Sequence, residues 1–271
     1  MIVGEKLREL WLYRDLVRNL VVRDLKTRYK NSVLGIAWSW VNPLLMMIVY
    51  SVVFNILAGR SSLPNYPVFI LSALLPWNFF VSSVSQATHS IVGAAPLIKK
   101  VYFPREALPI SVVLGNLINF LIALPVFFLL AALMGNPLTG WALLLPLIIL
   151  VQVFFVTGVS LITCTLNVFY QDTRHILDVL LLAWFFLTPI FYPLTIVPEQ
   201  HVLLGLTINV RLWLRRLNPM ASIIASYRDA LYWGAPTGLD FLLRTALTSL
   251  VVLVVGYLVF LHYSPRFGEE V

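Results

Sequence analysis

The sequence predicts an all-α integral membrane protein with six transmembrane helices and both termini cytoplasmic. The first observation behind this is composition. Of 271 residues, 60% are hydrophobic and 11% are charged, whereas an average soluble domain carries about a quarter charged residues. Such a chain lacks the polar surface to cover a globule in water. A mean hydropathy of +0.89 agrees and excludes a disordered polypeptide. The second observation is the length of the charge-free stretches, and the third is the side on which the basic residues fall.

About 20 apolar residues cross the hydrocarbon core, and a charged side chain at its centre is expensive. Reading between charges gives runs from Asn31 to Gly59, Ser61 to Ile98, Ala107 to Gln171, Val179 to Pro198 and Thr245 to Pro265. The third run is too long for one helix. Gly135, Asn136, Pro137, Thr139 and Gly140 form a turn cluster that divides it in two. The expected spans are residues 35–58, 68–92, 110–134, 142–168, 178–197 and 241–262. Residues 1–34 form a cytoplasmic helix and connector, and 35–271 form one transmembrane domain.

An even number of spans puts both termini on one side. Eight basic residues between Lys6 and Lys30, together with Lys99, Lys100, Arg105, Arg174 and Arg266, fall on the N-terminal side. Arg60, Arg211, Arg215, Arg216 and Arg228 fall opposite, with Arg244 near that boundary. The positive-inside bias makes the N-terminal side cytoplasmic. The net charge of +7 is thereby assigned to topology rather than to nucleic acid. The first apolar run begins after thirty residues and has the length of a full span, so a cleaved signal peptide is not expected. Cys164 sits in an apolar run and reads as a small packing residue. His89, His175, His201 and His262 are too dispersed for a metal site, and none is expected.

The spans contain almost no acids or bases that could couple transport to an ion gradient. Asp178 and Arg244 sit at expected span ends, and His89 lies near the inner end of the second span. No Gly-Lys pair occurs, so there is no phosphate-binding loop and no ATPase site in this chain. If the protein pumps, another protein supplies the energy.

Between spans two and three lies GAAPLIKKVYFPREALP, Gly93 to Pro109. Pro96 is placed to start a short helix and Pro104 to break it. Lys99 and Lys100 offer charge, while Val101, Tyr102 and Phe103 offer apolar surface to a partner's groove. An ordinary positive-inside loop with interfacial aromatics is the competing reading. Upstream, Leu10, Tyr13, Leu16, Val17, Leu20 and Val21 recur at helical spacing, with Arg14, Asp15, Arg18 and Asn19 largely opposite. That pattern predicts a helix lying in the membrane surface. Arg23, Lys26, Arg28 and Lys30 lead from it into the first span and could meet anionic headgroups or a phosphorylated substrate, or serve only as a topology anchor. From Pro198 to Asp240, two apolar pieces, Val202 to Ile208 and Met220 to Tyr232, are too short to span. They read as re-entrant helices before the last span, or as an outer loop on the headgroups.

Three stretches, RDLKTRYKNSVLGIAWSWVNPLL, LIKKVYFPREALPIS and NVFYQDTRHILDVLLLAWFFLTPIFYP, together resemble the membrane subunit of type 2 ABC exporters. Within that group they resemble the polysaccharide branch, which exports O-antigen, capsule or teichoic acid. The likeness covers nearly the whole chain in the expected order. It implies a homodimer in the bacterial inner membrane, two separate ATP-binding subunits that hold ATP and Mg, and a lipid-linked polysaccharide as substrate. It also implies that Pro96, Leu97, Ile98, Lys99, Lys100, Val101, Tyr102, Phe103, Pro104, Arg105 and Glu106 form the coupling helix seated in the ATPase. Asp172 and Arg174 would make a second cytoplasmic contact, and Arg8 to Lys30 the gate helix. Met220, Ile223, Ile224 and Tyr227 would lie in an outer gate.

A glycan needs weak, repeated contacts, which aromatic faces supply. Tyr50 and Phe54 lie four apart in the first span, and Trp184 and Phe191 seven apart in the fifth, so these four are the expected glycan path. Lipid-facing or packing roles compete at each. Trp38, Trp40, Trp77 and Trp141 read as an interfacial belt, while Gly115 and Gly158 suggest close helix packing. Asn116, Asn119, Gln152 and Thr163 read as helix-to-helix hydrogen bonding. An exporter of small lipids or drugs remains the alternative within transport, and an intramembrane glycolipid-processing enzyme the alternative outside it. The scarcity of intramembrane acids and histidines argues against the enzyme.

Overall fold

The computed structural model describes residues 2–30, 32–57, 63–136, 138–197, 199, 201–203 and 206–271. Arg60, Pro137 and Pro198, used above to place boundaries, lie outside the described residues, and so does the side chain of Arg215. Among the described residues, five helical segments are long and apolar enough to cross a membrane: Gly35–Phe54, Tyr66–Ser90, Ala107–Leu133, Gly140–Phe169 and Leu239–Glu270. The protein is therefore a multi-pass membrane protein, and these boundaries follow the charge-free runs closely.

The chain opens with α1 (Ile2–Leu12) and α2 (Arg14–Tyr29). They meet at Tyr13, whose φ of −91° and ψ of 19° bend the path. The single surface helix expected over 8–30 is thus two helices. A short 3-10 turn leads into α3 (Trp38–Ser51), which ends in a π-helical turn over Val52–Leu57. Asn65, at φ 50°, adopts the left-handed conformation that Asn tolerates, and turns the chain into α4 (Tyr66–Ser90). The one-turn α5 (Ala95–Ile98) follows, then α6 (Ala107–Leu133) and α7 (Leu145–Phe169).

The stretch expected to form the fifth span departs from a simple crossing. Helix α8 (Thr173–Leu187) has 15 residues, about 22 Å of rise. It stops where Thr188 turns extended and Pro189 follows, because the residue before a proline is driven out of the helical region. After it come two three-residue strands, β1 (His201–Leu203) and β2 (Leu206–Ile208), paired antiparallel. This small ribbon interrupts a chain whose fold class is all-α, as expected. Helices α9 (Val210–Leu217), α10 (Pro219–Arg228), α11 (Leu239–Tyr263) and α12 (Phe267–Glu270) complete the fold.

Helix α4 is the central post, buried along most of its length. It packs between α6, α7, α3 and α10. Helices α7 and α11 form the tightest pair. A Cβ on Gly158 would stand 2.5 Å from the Val252 carbonyl oxygen, so only glycine permits this crossing. At the end of the bundle that carries both termini, Leu20, Ile98, Phe103, Leu108, Phe260 and Phe267 share a second apolar cluster. Leu10, Tyr13, Leu16 and Val17 pack on it, so the apolar face read from the sequence is the face that docks.

Candidate functional site

The segment between α4 and α6 is built as its prolines dictate. Pro96 stands in the first turn of α5, and after Ile98 the chain runs through a turn into an irregular stretch ending at Pro104. Its side chains divide sharply. Pro96, Lys99, Lys100, Val101 and Tyr102 are exposed, Tyr102 at 77%. Ile98, Phe103, Pro104 and Glu106 are buried, and Leu97 is half-buried. Phe103, read above as surface offered to a partner, is instead an anchor at 6% exposure. Arg105 is also committed: its guanidinium donates to the carbonyl of Ser264, tying the loop to the C-terminal turn.

Helix α1 closes over this loop. The Tyr102 hydroxyl donates to Glu9 Oε1 at 3.3 Å, and Lys6 Nζ donates to Glu9 Oε2 at 2.6 Å. That hydrogen bond to Glu9 holds the Lys6 ammonium above its usual pKa. Glu106 lies at the N-terminus of α6 with its Oε1 buried and without a hydrogen-bond partner. Burial pushes its carboxyl above the usual carboxylate range, and Lys6 pulls part of the way back. Asp172 and Arg174 are exposed at the start of α8. They share this end of the bundle, since Phe169 meets Phe267 with ring centroids 6.2 Å apart.

Of the four basic residues leading from α2 into the first span, Arg23, Lys26 and Lys30 are exposed. Arg28 is not available in the same way. It pairs with Asp24 at 2.5 Å and donates to Asn116 Oδ1 at 2.7 Å and to Gln86 Oε1 at 2.5 Å. This corrects its assignment as a cation facing outside ligands: it pins α2 to α4 and α6.

The aromatic residues regroup. Phe54 stacks on Phe191 at 4.5 Å, and Tyr50 meets the same ring at 4.7 Å. Phe185 completes the cluster 4.9 Å from Phe191. Trp184 points elsewhere, edge-on to Phe80 at 5.0 Å, with its Nε1 donating to Asn218 Oδ1 at 2.7 Å. The seven-residue spacing that joined Trp184 to Phe191 required a continuous helix, and α8 ends between them. Phe191 itself is in the core, as is Trp77 at 4% exposure, which removes Trp77 from the interfacial belt.

Met220, Ile223, Ile224 and Tyr227 on α10 are all 1% exposed or less. Tyr227 donates to Gln152 Oε1 at 2.7 Å, and Gln152 Nε2 donates to the Pro76 carbonyl at 2.7 Å. Helix α10 therefore inserts between α4, α7 and α11 of its own protomer, and these four side chains face that core, not an opening.

A model of the family described as ABC-2 type transporter matches residues 15–232, from α2 through the turn after α10. The chain belongs to that family. Over 264 residues it is 36% identical to the O-antigen export system permease protein RfbA of Myxococcus xanthus, covering 97% of this chain and 98% of the relative. It is 35% identical over 256 residues to the protein of that description from Klebsiella pneumoniae, with 94% of each chain covered. The Polysialic acid transport protein KpsM of Escherichia coli is 25% identical over 250 residues, covering 89% of this chain and 90% of that one.

Two features of this ABC-2 type chain escaped the sequence reading. Arg228, taken there as a topology charge, is 5% exposed. Its guanidinium lies 3.7 Å from the Phe69 ring centroid and donates to the carbonyls of Pro189 and Ile190, locking α10 to the end of α8. The second is a cavity of about 260 Å³ between α2, α3, α4 and α6. Asn116 and Asn119, both expected to bond helix to helix, line it. The available signal was the recurrence of Asn42, Asn78, Asn116 and Asn119 within otherwise apolar runs.

Proposed function

We propose that this chain is the membrane subunit of an ATP-driven exporter that carries a lipid-linked polysaccharide from the cytoplasm across the bacterial inner membrane. The observation carrying this is likeness along the full length, at 33–36% identity, to three O-antigen export permeases. ATP is bound and hydrolysed by a separate subunit, in keeping with the lack of any Gly-Lys pair in this chain.

The geometry supports an assignment of parts. Lys99, Lys100, Val101 and Tyr102 present the surface that meets the ATP-binding subunit, with Asp172 and Arg174 beside it. Ile98, Phe103, Arg105 and Glu106 hold that surface in place. Helices α1 and α2 bear on the same cluster, so a push on the loop is transmitted to the entrance helix. Arg23, Lys26 and Lys30 face anionic headgroups. Tyr50 and Phe54, half-buried beside the Phe191 ring, form the aromatic part of the route.

Six crossings, with both termini cytoplasmic, fit this reading. Helix α8 begins near Phe169, at the end holding the termini, and the segment after it reaches Phe191, whose carbonyl accepts from Tyr66 Oη at 2.9 Å at the far end of α4. Helix α8 with residues 188–191 thus supplies a crossing that α8 alone is too short to make. Helix α10 then enters from the outer side as a buried re-entrant helix, its first turn capped by Asn218 Oδ1, which accepts from Ala221 N, and its last carbonyls, of Ala225 and Ser226, accepting from Asp229 N.

The test is reconstitution in sealed vesicles with its ATP-binding subunit. ATP-dependent movement of lipid-linked glycan, lost when that subunit is omitted, is expected. Transport or bond cleavage by this chain alone overturns the reading.

A further inference from the structure

We infer that the cavity between α2, α3, α4 and α6 is a binding site for one neutral sugar ring of the exported glycan, an inference that rests on the exporter reading. The cavity is a recess bounded on one side by α3, whose Trp38 and Asn42 are exposed, and on the other by the half-buried Asn78 and Ser82 of α4. Ser82 and Asn78 sit about 12 and 18 Å along α4 from its Ser90 end, which brings Asn78 to about the middle of a core roughly 30 Å thick. Asn42, Asn78 and Ser82 line the cavity and have no hydrogen-bond partner among the described residues. Uncovered polar groups at that depth are costly, so they need an occupant that bonds to them.

The lining chemistry selects the occupant. An anion wants several donors and a free cation, but Arg28 is already engaged by Asp24, Gln86 and Asn116. Asparagine and serine each donate and accept, which matches a hydroxyl, itself donor and acceptor, and matches poorly a phosphate that only accepts. Trp38 adds exposed aromatic surface, above the buried Phe79 and Phe120 rings, which stack on each other at 5.5 Å. Ring faces of this kind pack against sugar C–H groups. At about 260 Å³ the space falls below the roughly 300–1,000 Å³ of drug-sized sites, so it takes one ring and not a chain. The ring would be bound next to the helix that Arg28 pins, which places sugar recognition beside the proposed entrance.

The experiment uses the complex of this chain with its ATP-binding subunit in lipid nanodiscs. The probes are methyl glycosides of glucose, galactose, mannose and N-acetylglucosamine, followed by saturation-transfer NMR, and inorganic pyrophosphate, followed by phosphorus line broadening. At least one glycoside is expected to bind, and Asn78→Leu is expected to weaken it about tenfold through loss of one or two hydrogen bonds. Where Asn78→Leu fails to assemble, Asn42→Leu and Ser82→Val carry the same expectation. Pyrophosphate is expected not to compete. Glycoside binding untouched by every assembled variant overturns the inference. So does competition by pyrophosphate, which marks an anion site, or binding of no probe at all, which marks a water-filled cavity. ATP-driven export measured on the same complex separates the two levels: export without glycoside binding sinks the sugar site alone, and absence of export sinks the exporter reading.

Discussion

Val101, Tyr102 and Phe103 are consecutive, yet they do different work. Phe103 enters the cluster with Phe260 and Phe267, while Val101 and Tyr102 both stay outside. Tyr102→Ala is expected to leave the melting temperature unchanged and to weaken co-purification with the ATP-binding subunit. Phe103→Ala is expected to destabilise the chain itself by on the order of 3 kcal/mol, read by thermal unfolding without the partner. Equal effects of the two substitutions on unfolding would refute the division. Glu106 makes a second residue-scale prediction. Because burial raises its folded pKa, its contribution to stability is complete below the ordinary carboxylate value of about 4.3 and is lost as pH rises through the folded value. Glu106→Gln removes that dependence. The melting temperature of the variant should gain on the wild type as pH rises above the ordinary carboxylate value of about 4.3, and parallel profiles would show that the carboxylate is not the cause.

At the scale of helices, the seam between α7 and α11 is set by backbone contact. A Cβ on Gly158 would also lie 2.6 Å from Leu253 N, and a backbone atom cannot yield as a side-chain tip does. Gly158→Ala is expected to cut the yield of monodisperse protein severely. Gly93→Ala, whose Cβ would meet only the His89 ring at 3.4 Å, should be tolerated, as gel filtration of the two variants will show. Gly158 was legible in the sequence because a glycine inside an apolar run has few other uses. The span boundaries were legible for a similar reason: hydrocarbon excludes charge, so charges mark where helices end. The fifth span was misread because apolar length says nothing about backbone direction, and Pro189 and Pro193 end the helix that hydropathy continues. The burial of Phe103 and the capture of Arg28 by Asn116 and Gln86 were not legible. Both depend on contacts 58 or more residues away in the chain, or on which of three adjacent apolar side chains turns inward. Depth-matched asparagines in separate helices carried a readable sign of the cavity, but only the packing of α2, α3, α4 and α6 brings them to one place.

For the molecule as a whole, the unfinished surface is the argument. Helix α3 buries only Pro43 and Met47, and α8 only Leu177 and Leu181. Large apolar side chains stand outward on both, among them Ile48, Val49, Val179, Leu182 and Phe186 at 51–67% exposure. Lipid satisfies apolar atoms, but a helix that buries so few of its side chains gains little that fixes its tilt or position. Helix α3 also carries Asn42 and Ser39 into the membrane, and a polar route needs walls that lipid does not provide. A second copy related by a two-fold axis would cover both helices with the same surfaces it presents, as an isologous interface requires. Single cysteines test this directly, because the native Cys164 is buried and does not compete for reagent. Val49→Cys or Leu182→Cys is expected to give covalent dimers in native membranes under mild oxidation or with a short bifunctional reagent. Leu247→Cys, on α11 and equally exposed at 62%, should remain monomeric. Cross-linking at Leu247 with none at Val49 or Leu182 would move the dimer interface to another face and detach α3 and α8 from the transport path.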